Sequence, residues 1–155
     1  MTKKMKKESG FTLVEMLIVV AIIAILIAVS IPLVNSSLEK AREATDAANE
    51  RAFKAALTIG YLTEETVGTD KVVPGTVYVY DAINGKVTAD DAGIDAYGQS
   101  TKVKGVDNVP RTGMILSGLI NDDGDVTMQW GDGKLADSEV KGDNLIGGAL
   151  SKTGT

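Results

Sequence analysis

The sequence predicts an α+β fold, with a long N-terminal helix whose apolar half protrudes and whose amphipathic half packs on a small antiparallel β-sheet. One observation is the distribution of glycine: 16 of the 17 glycines lie at or after Gly60, and none lies between Phe11 and Ile59. Those 49 residues contain a single proline, Pro32. The other observation is that β-branched and aromatic residues alternate with turn signals beyond residue 62.

The composition restricts the classes of function open to this chain. Its 155 residues suffice for one modest domain with appendages, and they include no cysteine and no histidine. Catalytic thiols, catalytic imidazoles, disulfides and the usual zinc sites are therefore excluded. The net charge of −5 comes without a basic tail, which argues against a dedicated nucleic-acid-binding protein. We expect no enzymatic activity and no cofactor.

The first 34 residues have the features of a membrane segment. Residues 1–10 carry four lysines and one glutamate, and residues 11–34 carry one charge, that of Glu15. The 14 residues from Met16 to Val29 are all apolar. At about 1.5 Å per residue a helix over residues 11–34 would cross the bilayer core of about 30 Å. Because a basic segment precedes it, we predict membrane insertion with the lysines in the cytoplasm.

Two simpler interpretations of this segment leave Glu15 unexplained, and a third, a buried core helix, does not fit a segment that is apolar on every face. It could be a signal peptide cleaved at Ser30, which would release a secreted binding module or hydrolase that starts at Ile31. It could be the uncleaved anchor of a monomeric receptor, or the buried core helix of a soluble domain. A carboxylate within an apolar span is costly to insert and usually has a partner. Glu15 lies five positions after Gly10, close to the cytoplasmic end of the span.

The order of these features resembles the class III signal peptide of type IV pilins and related pilin-like proteins. A lysine-rich leader is followed by Gly10, by Phe-Thr-Leu-Val-Glu at residues 11–15, and by an apolar run that ends at Pro32. The resemblance covers about residues 1–61 and implies that a membrane aspartyl peptidase cleaves between Gly10 and Phe11. The same enzyme would then methylate the new amino group of Phe11. Loss of the leader would change the net charge from −5 to −8, because four lysines and one glutamate leave with it.

The resemblance also implies roles for Glu15 and Pro32. Glu15 would pair with the Phe11 amine of a neighbouring subunit and thereby set the register of assembly, since an unpaired buried carboxylate is costly. Pro32 lacks a backbone N–H and clashes with the preceding turn, so we expect it to kink or locally melt the helix. The alternative for Pro32 is that the helix ends just beyond the membrane.

Residues 35–61 are predicted to continue the helix into the head. Small and apolar residues recur at spacings of three and four, which predicts one packed stripe. The stripe consists of Val34, Leu38, Ala41, Thr45, Ala48, Ala52, Ala56 and Ile59, and Phe53 and Leu57 widen it. The other face is charged, and we expect it to be solvated, with the i, i+4 pairs Arg42–Asp46 and Glu50–Lys54.

Residues 62–155 are predicted to form a β-rich head of three or four antiparallel strands. A β-branched and aromatic strand at residues 76–80 precedes the turn signal Asn84-Gly85 and a second strand at residues 86–89. A further hairpin joins strands near residues 114–120 and 126–130 through the acidic turn 121–125. Asp122, Asp123 and Asp125 could bind calcium, but they lack the spacing of an EF-hand loop, so we assign this site a low probability.

These expectations combine into a prediction of domains and function. The domains are a leader at residues 1–10, a membrane and filament-core helix at 11–34, an amphipathic helix at 35–61 and a head at 62–155. The chain is identified as a major type IV pilin, and the lack of cysteine favours a Gram-positive source or another pilin class. The alternative within the same family is a major pseudopilin of a type II-like secretion system. Tight calcium binding at Asp122, Asp123 and Asp125 would favour this alternative.

The resemblance implies the partners and the location as well. They are further copies of this chain in a homopolymer, a prepilin peptidase and methyltransferase, an inner-membrane assembly platform with its ATPases, and membrane lipid before assembly. The precursor would span the cytoplasmic membrane once, and the mature chain would form an extracellular filament for adhesion, twitching motility, biofilm formation or DNA uptake.

Overall fold

A computed structural model describes residues 10–64, 66–67, 70–101, 110–136, 140 and 149–150 of the chain. Within them lie one long helix, α1 (Leu13–Leu62), and seven strands. The strands are β1 (Thr66–Val67), β2 (Asp70–Lys71), β3 (Tyr78–Asp81), β4 (Lys86–Thr88), β5 (Ile115–Ile120), β6 (Val126–Gly131) and β7 (Ala149–Leu150). The predicted leader, residues 1–10, lies outside this description except for Gly10.

The chain divides into two compact units with the boundary between Leu38 and Glu39. In the first unit, α1 continues without interruption through Pro32, so the backbone does not melt there as we considered possible. Serine hydroxyls on either side of the proline bond to the carbonyl four residues earlier, Ser30 to Leu26 at 2.7 Å and Ser37 to Leu33 at 3.1 Å. A kink at Pro32 stays a prediction.

The second unit is an α+β head in which residues 39–62 of α1 pack on a small sheet. The strand order is β4-β3-β5-β6-β7, and the first four strands are antiparallel, as the sequence predicts. The strand β7 pairs in parallel with β6, and β1 and β2 form a separate two-stranded hairpin. These three strands have two residues each, too few for an alternating pattern to reveal them.

Both predicted hairpins are present. The turn between β5 and β6 is closed by Asn121 and Asp125, which exchange a backbone bond of 2.9 Å from Asn121 N–H to Asp125 C=O. The Asn121 side-chain oxygen also accepts the Asp125 N–H at 2.7 Å, and Gly124 supplies a left-handed residue with φ +87°. In the other hairpin Gly85 is left-handed, with φ +64°, within a four-residue turn between the paired residues Asp81 and Lys86.

The core of the head lies where α1 crosses the sheet. Phe53 and Leu57 are fully buried and belong to one core cluster with residues of β3, β5 and β6, including Tyr80, Leu116 and Trp130. Gly118 makes this packing possible, because a Cβ at that position would lie 2.7 Å from the Phe53 ring. A second buried cluster comprises Val77, Leu119, Leu135 and Val140.

The face of α1 that packs on the head differs from the predicted stripe. Its buried residues are Asp46, Phe53, Leu57 and Gly60, whereas most of the predicted stripe is exposed, namely Val34, Leu38, Ala41, Thr45, Ala48, Ala52 and Ile59. Phe53 and Leu57, which widen the predicted stripe, are buried in the head as expected. The prediction for the stripe itself was wrong because it assumed that charged residues face water. Carboxylates on this face instead find backbone and side-chain donors in the head, which offsets the cost of burying them.

Candidate functional site

The start of α1 is a capping box. Thr12 is the N-cap residue, and its hydroxyl accepts the backbone N–H of Glu15 at 3.2 Å. In return, one oxygen of the Glu15 carboxylate accepts both the backbone N–H and the hydroxyl of Thr12, each at 2.7 Å. Two backbone donors that a helix start leaves without partners are thereby satisfied.

This geometry gives Glu15 a local role that our sequence interpretation missed. The signal was present, because Thr-x-x-Glu immediately before an apolar run is the sequence signature of a capping box. A carboxylate in the first turn is also favoured by the helix dipole. Glu15 therefore has a partner within its own chain, and the predicted contact to a neighbouring Phe11 amine stays a prediction.

The predicted cleavage position lies in accessible backbone just before the helix. Residues 10–12 have no regular secondary structure, and a Cβ at Gly10 would meet nothing within 4 Å. The Phe11 side chain is 82% exposed. The peptide bond between Gly10 and Phe11 is thus open to an enzyme that approaches from the N-terminal side of α1.

The apolar half of α1 has no cover within its own chain. The most apolar 18-residue window of the helix has a mean hydropathy of 3.2, and none of it is buried. By length and composition α1 can cross a membrane. The core helix of a soluble domain would be mostly buried, so the exposure of this segment argues against that interpretation. The uncovered surface requires lipid or other protein around it.

The segment of the head around residues 97–101 is fastened to α1 by carboxylates. Asp46 is completely buried, and its two oxygens accept the backbone N–H groups of Gln99 at 3.0 Å and Ser100 at 2.8 Å. About two turns earlier on the same side of α1, Glu39 accepts the backbone N–H of Thr101 at 2.6 Å and its hydroxyl at 2.8 Å. We call residues 97–101 the strap.

A third carboxylate on the same face of α1, that of Glu50, contacts Arg111 and Trp130 of the head. Glu50 Oε1 lies 2.8 Å from a guanidinium nitrogen of Arg111 and accepts the indole N–H of Trp130 at 2.9 Å. The guanidinium also lies 5.5 Å from the centre of the Trp130 ring. Arg111 in turn donates its backbone N–H to the Ser100 carbonyl at 2.9 Å, so the ion pair and the strap form one connected network.

The ion pairs predicted within α1 are replaced by these contacts. Arg42 lies 3.4 Å from Glu39 rather than beside Asp46, and Glu50 pairs with Arg111 rather than with Lys54. An exposed i, i+4 ion pair stabilises a helix by only tenths of a kcal/mol. Buried charge-assisted hydrogen bonds are stronger, so the carboxylates bond to the head instead.

The calcium site that we considered at Asp122, Asp123 and Asp125 stays a prediction. Among the described residues, no group of three or more acidic side chains converges as metal ligands. Asp122, Asp123 and Asp125 are all exposed, and the Asn121 side chain is engaged in closing the turn. Two open depressions border this end of the head, one of them lined by Asn121 and Asp122 and the other by Glu64 and Lys71.

Comparison with known proteins identifies the same part of the chain. Residues 5–31 match the family model described as the prokaryotic N-terminal methylation motif. The match includes Gly10, Phe11, Thr12 and Glu15 and most of the exposed apolar part of α1. No curated protein and no solved structure matches the chain at a significant level.

Proposed function

Since the chain carries the N-terminal methylation motif of a type IV pilin-like prepilin, we propose that it is the major structural subunit of a type IV pilus. The motif indicates the pilin or pseudopilin class, whose members are processed by a prepilin peptidase and assemble into pilus-type filaments. The observation that carries the proposal is the match over residues 5–31, which spans the cleavage position and the helix that follows it.

The proposed processing divides the chain at Gly10. Residues 1–10 are removed as the leader, and methylation follows on the Phe11 amine. Residues 11–34 form first the membrane anchor of the precursor and later the core of the filament. Residues 35–61 continue α1 into the head, and residues 62–155 form the head that faces outward. The accessible backbone at residues 10–12 supports this division.

Assembly supplies the cover that the apolar half of α1 lacks. In the precursor the cover is membrane lipid, and in the filament it is the same segment of neighbouring copies. Outside the membrane, burial of apolar side chains stabilises by about 25 cal/mol per Å² removed from water. Within the membrane, helices associate because close packing with protein replaces contacts with lipid. Outside the membrane, a single copy cannot cover this surface, which supports a homopolymer of the mature chain.

The outward face of the head segment of α1 also supports repeated contacts between copies. Most residues opposite the buried face are small or apolar and exposed, namely Ala41, Ala44, Ala48, Ala52, Ala55, Ile59 and Leu62, and the exposed Arg51 lies on this face as well. Small residues allow close approach of helices.

In the filament we propose that Glu15 exchanges its local bonds for the Phe11 amine of a neighbour. The free α-amino group is largely cationic at neutral pH, since its ordinary pKa is about 7.7–8.0. Misaligned neighbours would leave the carboxylate without a cation in an apolar surrounding, so the pair selects one register.

The proposal is tested by expressing the chain with and without an active prepilin peptidase. Wild type should be shortened by the leader only when the peptidase is active, and filaments should appear only then. Gly10→Val should remain full-length and membrane-bound, whereas Ser9→Val serves as the matched control one position away and should be processed. Normal cleavage of Gly10→Val would contradict the assignment of the cleavage position.

Microscopy separates the pilus from the pseudopilus. Long surface filaments at native expression, built from this chain, support the pilus. Filaments that appear only on overexpression, together with loss of protein secretion on deletion of the chain, support the pseudopilin.

Glu15→Ala should be inserted and cleaved but should form few or no filaments when no wild-type subunit is present.

A further inference from the structure

The tip of the hairpin between β3 and β4 carries the one asparagine of the sequence that is followed by glycine. The chain has six asparagines, and only Asn84 precedes a glycine, Gly85. Both residues are exposed. They end a four-residue turn whose flanking residues, Asp81 and Lys86, are directly paired across the hairpin.

The chemistry of an Asn-Gly pair differs from that of other asparagine sites. The backbone nitrogen of the following residue can attack the side-chain carbonyl carbon of asparagine, and a Cβ on that residue normally hinders the attack. Gly85 has no Cβ. The space around it is open as well, because a Cβ built there would have no neighbour within 4 Å.

We propose that Asn84 is a self-modification site that converts to aspartate and isoaspartate, with water as the only co-reactant. The Gly85 nitrogen forms a bond to Asn84 Cγ, the bond from Cγ to Nδ2 breaks, and ammonia leaves with the proton from the Gly85 nitrogen. Water then opens the resulting five-membered imide at either of its two carbonyls. Opening at one carbonyl gives aspartate, and opening at the other gives isoaspartate.

Asp81 restrains this reaction in the native hairpin. Its carboxylate accepts the backbone N–H groups of Ile83 and Asn84, each at 3.0 Å, and the Asn84 side-chain amide at 2.6 Å. These bonds hold the pKa of Asp81 below its usual range, with the side-chain bond to Asn84 as the largest cause. The side-chain bond fixes the Asn84 amide against Asp81, so the torsions needed for ring closure are reached less often.

Both products weaken the tip of the hairpin. Aspartate at residue 84 replaces the amide donor by a second carboxylate beside Asp81, and like charges at this distance repel. Isoaspartate inserts one extra methylene into the backbone of a turn that is closed by the pair Asp81 and Lys86. The strand β4 has three residues and lies at the edge of the sheet, with β3 as its neighbour. Its pairing should therefore loosen, and each conversion adds one negative charge to the head.

The test uses the purified full chain in detergent micelles, incubated at neutral and mildly alkaline pH and digested at intervals for mass spectrometry. The peptide with residue 84 should gain the mass difference between OH and NH2, and chromatography should separate its two isomers. The rate should rise with pH, since loss of the proton from the Gly85 nitrogen activates it. Asn121 and Asn49 are internal controls. Conversion of Asn84 no faster than that of Asn121 would overturn the proposal.

Three variants test the separate roles of Asn84, Gly85 and Asp81. Asn84→Gln should abolish the conversion, and Gly85→Ala should slow it several-fold. Asp81→Ala should accelerate it several-fold, and circular dichroism checks that the head is still folded. An unchanged or lower rate in folded Asp81→Ala would overturn the restraining role of Asp81. The measurement requires no filament, so its outcome is independent of the proposed function.

Discussion

The carboxylate of Glu15 caps the helix that contains it, through two bonds of 2.7 Å to the backbone N–H and the hydroxyl of Thr12. The carboxylate of Glu15, which is unusual in an apolar segment, therefore has hydrogen-bond donors within its own chain. The subunit can cross into lipid with this carboxylate already bonded, which lowers the cost of holding it there. The proposed assembly would then replace these local bonds by a bond to the Phe11 amine of a neighbouring copy.

Separate variants of Thr12 and Glu15 distinguish capping from a role in assembly. Thr12→Ala should destabilise the first turn of α1 by about 1 kcal/mol, because the N-cap oxygen is lost. Amide exchange at residues 13–16 should become faster in micelles, while filaments still form. Thr12→Ser should behave as wild type. If Thr12→Ala loses filaments as completely as Glu15→Ala, capping is the whole function of Glu15.

Asp46 should be the most sensitive carboxylate of the head. Asp46→Ala leaves the Gln99 and Ser100 N–H groups without their acceptor, so we expect a loss of about 2–4 kcal/mol in unfolding free energy. Thermal unfolding of the full chain in micelles measures it. The matched control is the exposed Asp95, whose replacement by alanine should change stability by less than about 0.5 kcal/mol. Equal losses of unfolding free energy in Asp46→Ala and Asp95→Ala would contradict the role of Asp46 in holding the strap against α1.

Glu50 should contribute through both its charge and its hydrogen bond. Arg111→Ala leaves a largely buried carboxylate without its cation and should cost about 3–5 kcal/mol. Glu50→Gln keeps an acceptor for the Trp130 indole, so it should be less destabilising than Glu50→Ala. Trp130 is the one tryptophan of the chain, and its fluorescence reports the site directly. An emission spectrum unchanged by Glu50→Ala would contradict the indole bond.

Gly98 should not tolerate any side chain. A Cβ at this position would collide with the backbone oxygen of Arg111 and would also lie 3.1 Å from the Trp130 ring. Gly98→Ala should therefore displace the strap and destabilise the head by about 1–3 kcal/mol, the usual cost of overpacking. The change should be less than additive with Asp46→Ala, because both act on the strap. Strict additivity would show that the two residues act independently.

The local elements of this fold could be predicted from the sequence, because their signals lie within a few residues. The absence of glycine between Phe11 and Ile59 predicts the long helix, and the turns at Asn84-Gly85 and at residues 121–125 predict the two hairpins. The capping box could also have been predicted, since Thr12 and Glu15 are three residues apart. These features depend on neighbours in the chain.

The packing of the head on α1 could not be predicted in the same way. Asp46 and Glu50 look like residues of a solvated helix face, and their partners Ser100 and Trp130 lie 54 and 80 residues further on. The alanine stripe has the helical period, but a period does not tell which face the sheet covers. Only the three-dimensional contacts show that the carboxylates face inward and that most of the predicted stripe faces outward.

The most direct test of the account is the intact mass and N-terminal sequence of this protein in filaments sheared from cell surfaces. The account predicts a chain that begins at Phe11, carries one methyl group on its amino terminus and retains the apolar half of α1. A mature chain that begins at Ile31, recovered as a soluble monomer, would contradict it, because the segment with the methylation motif would then have been discarded.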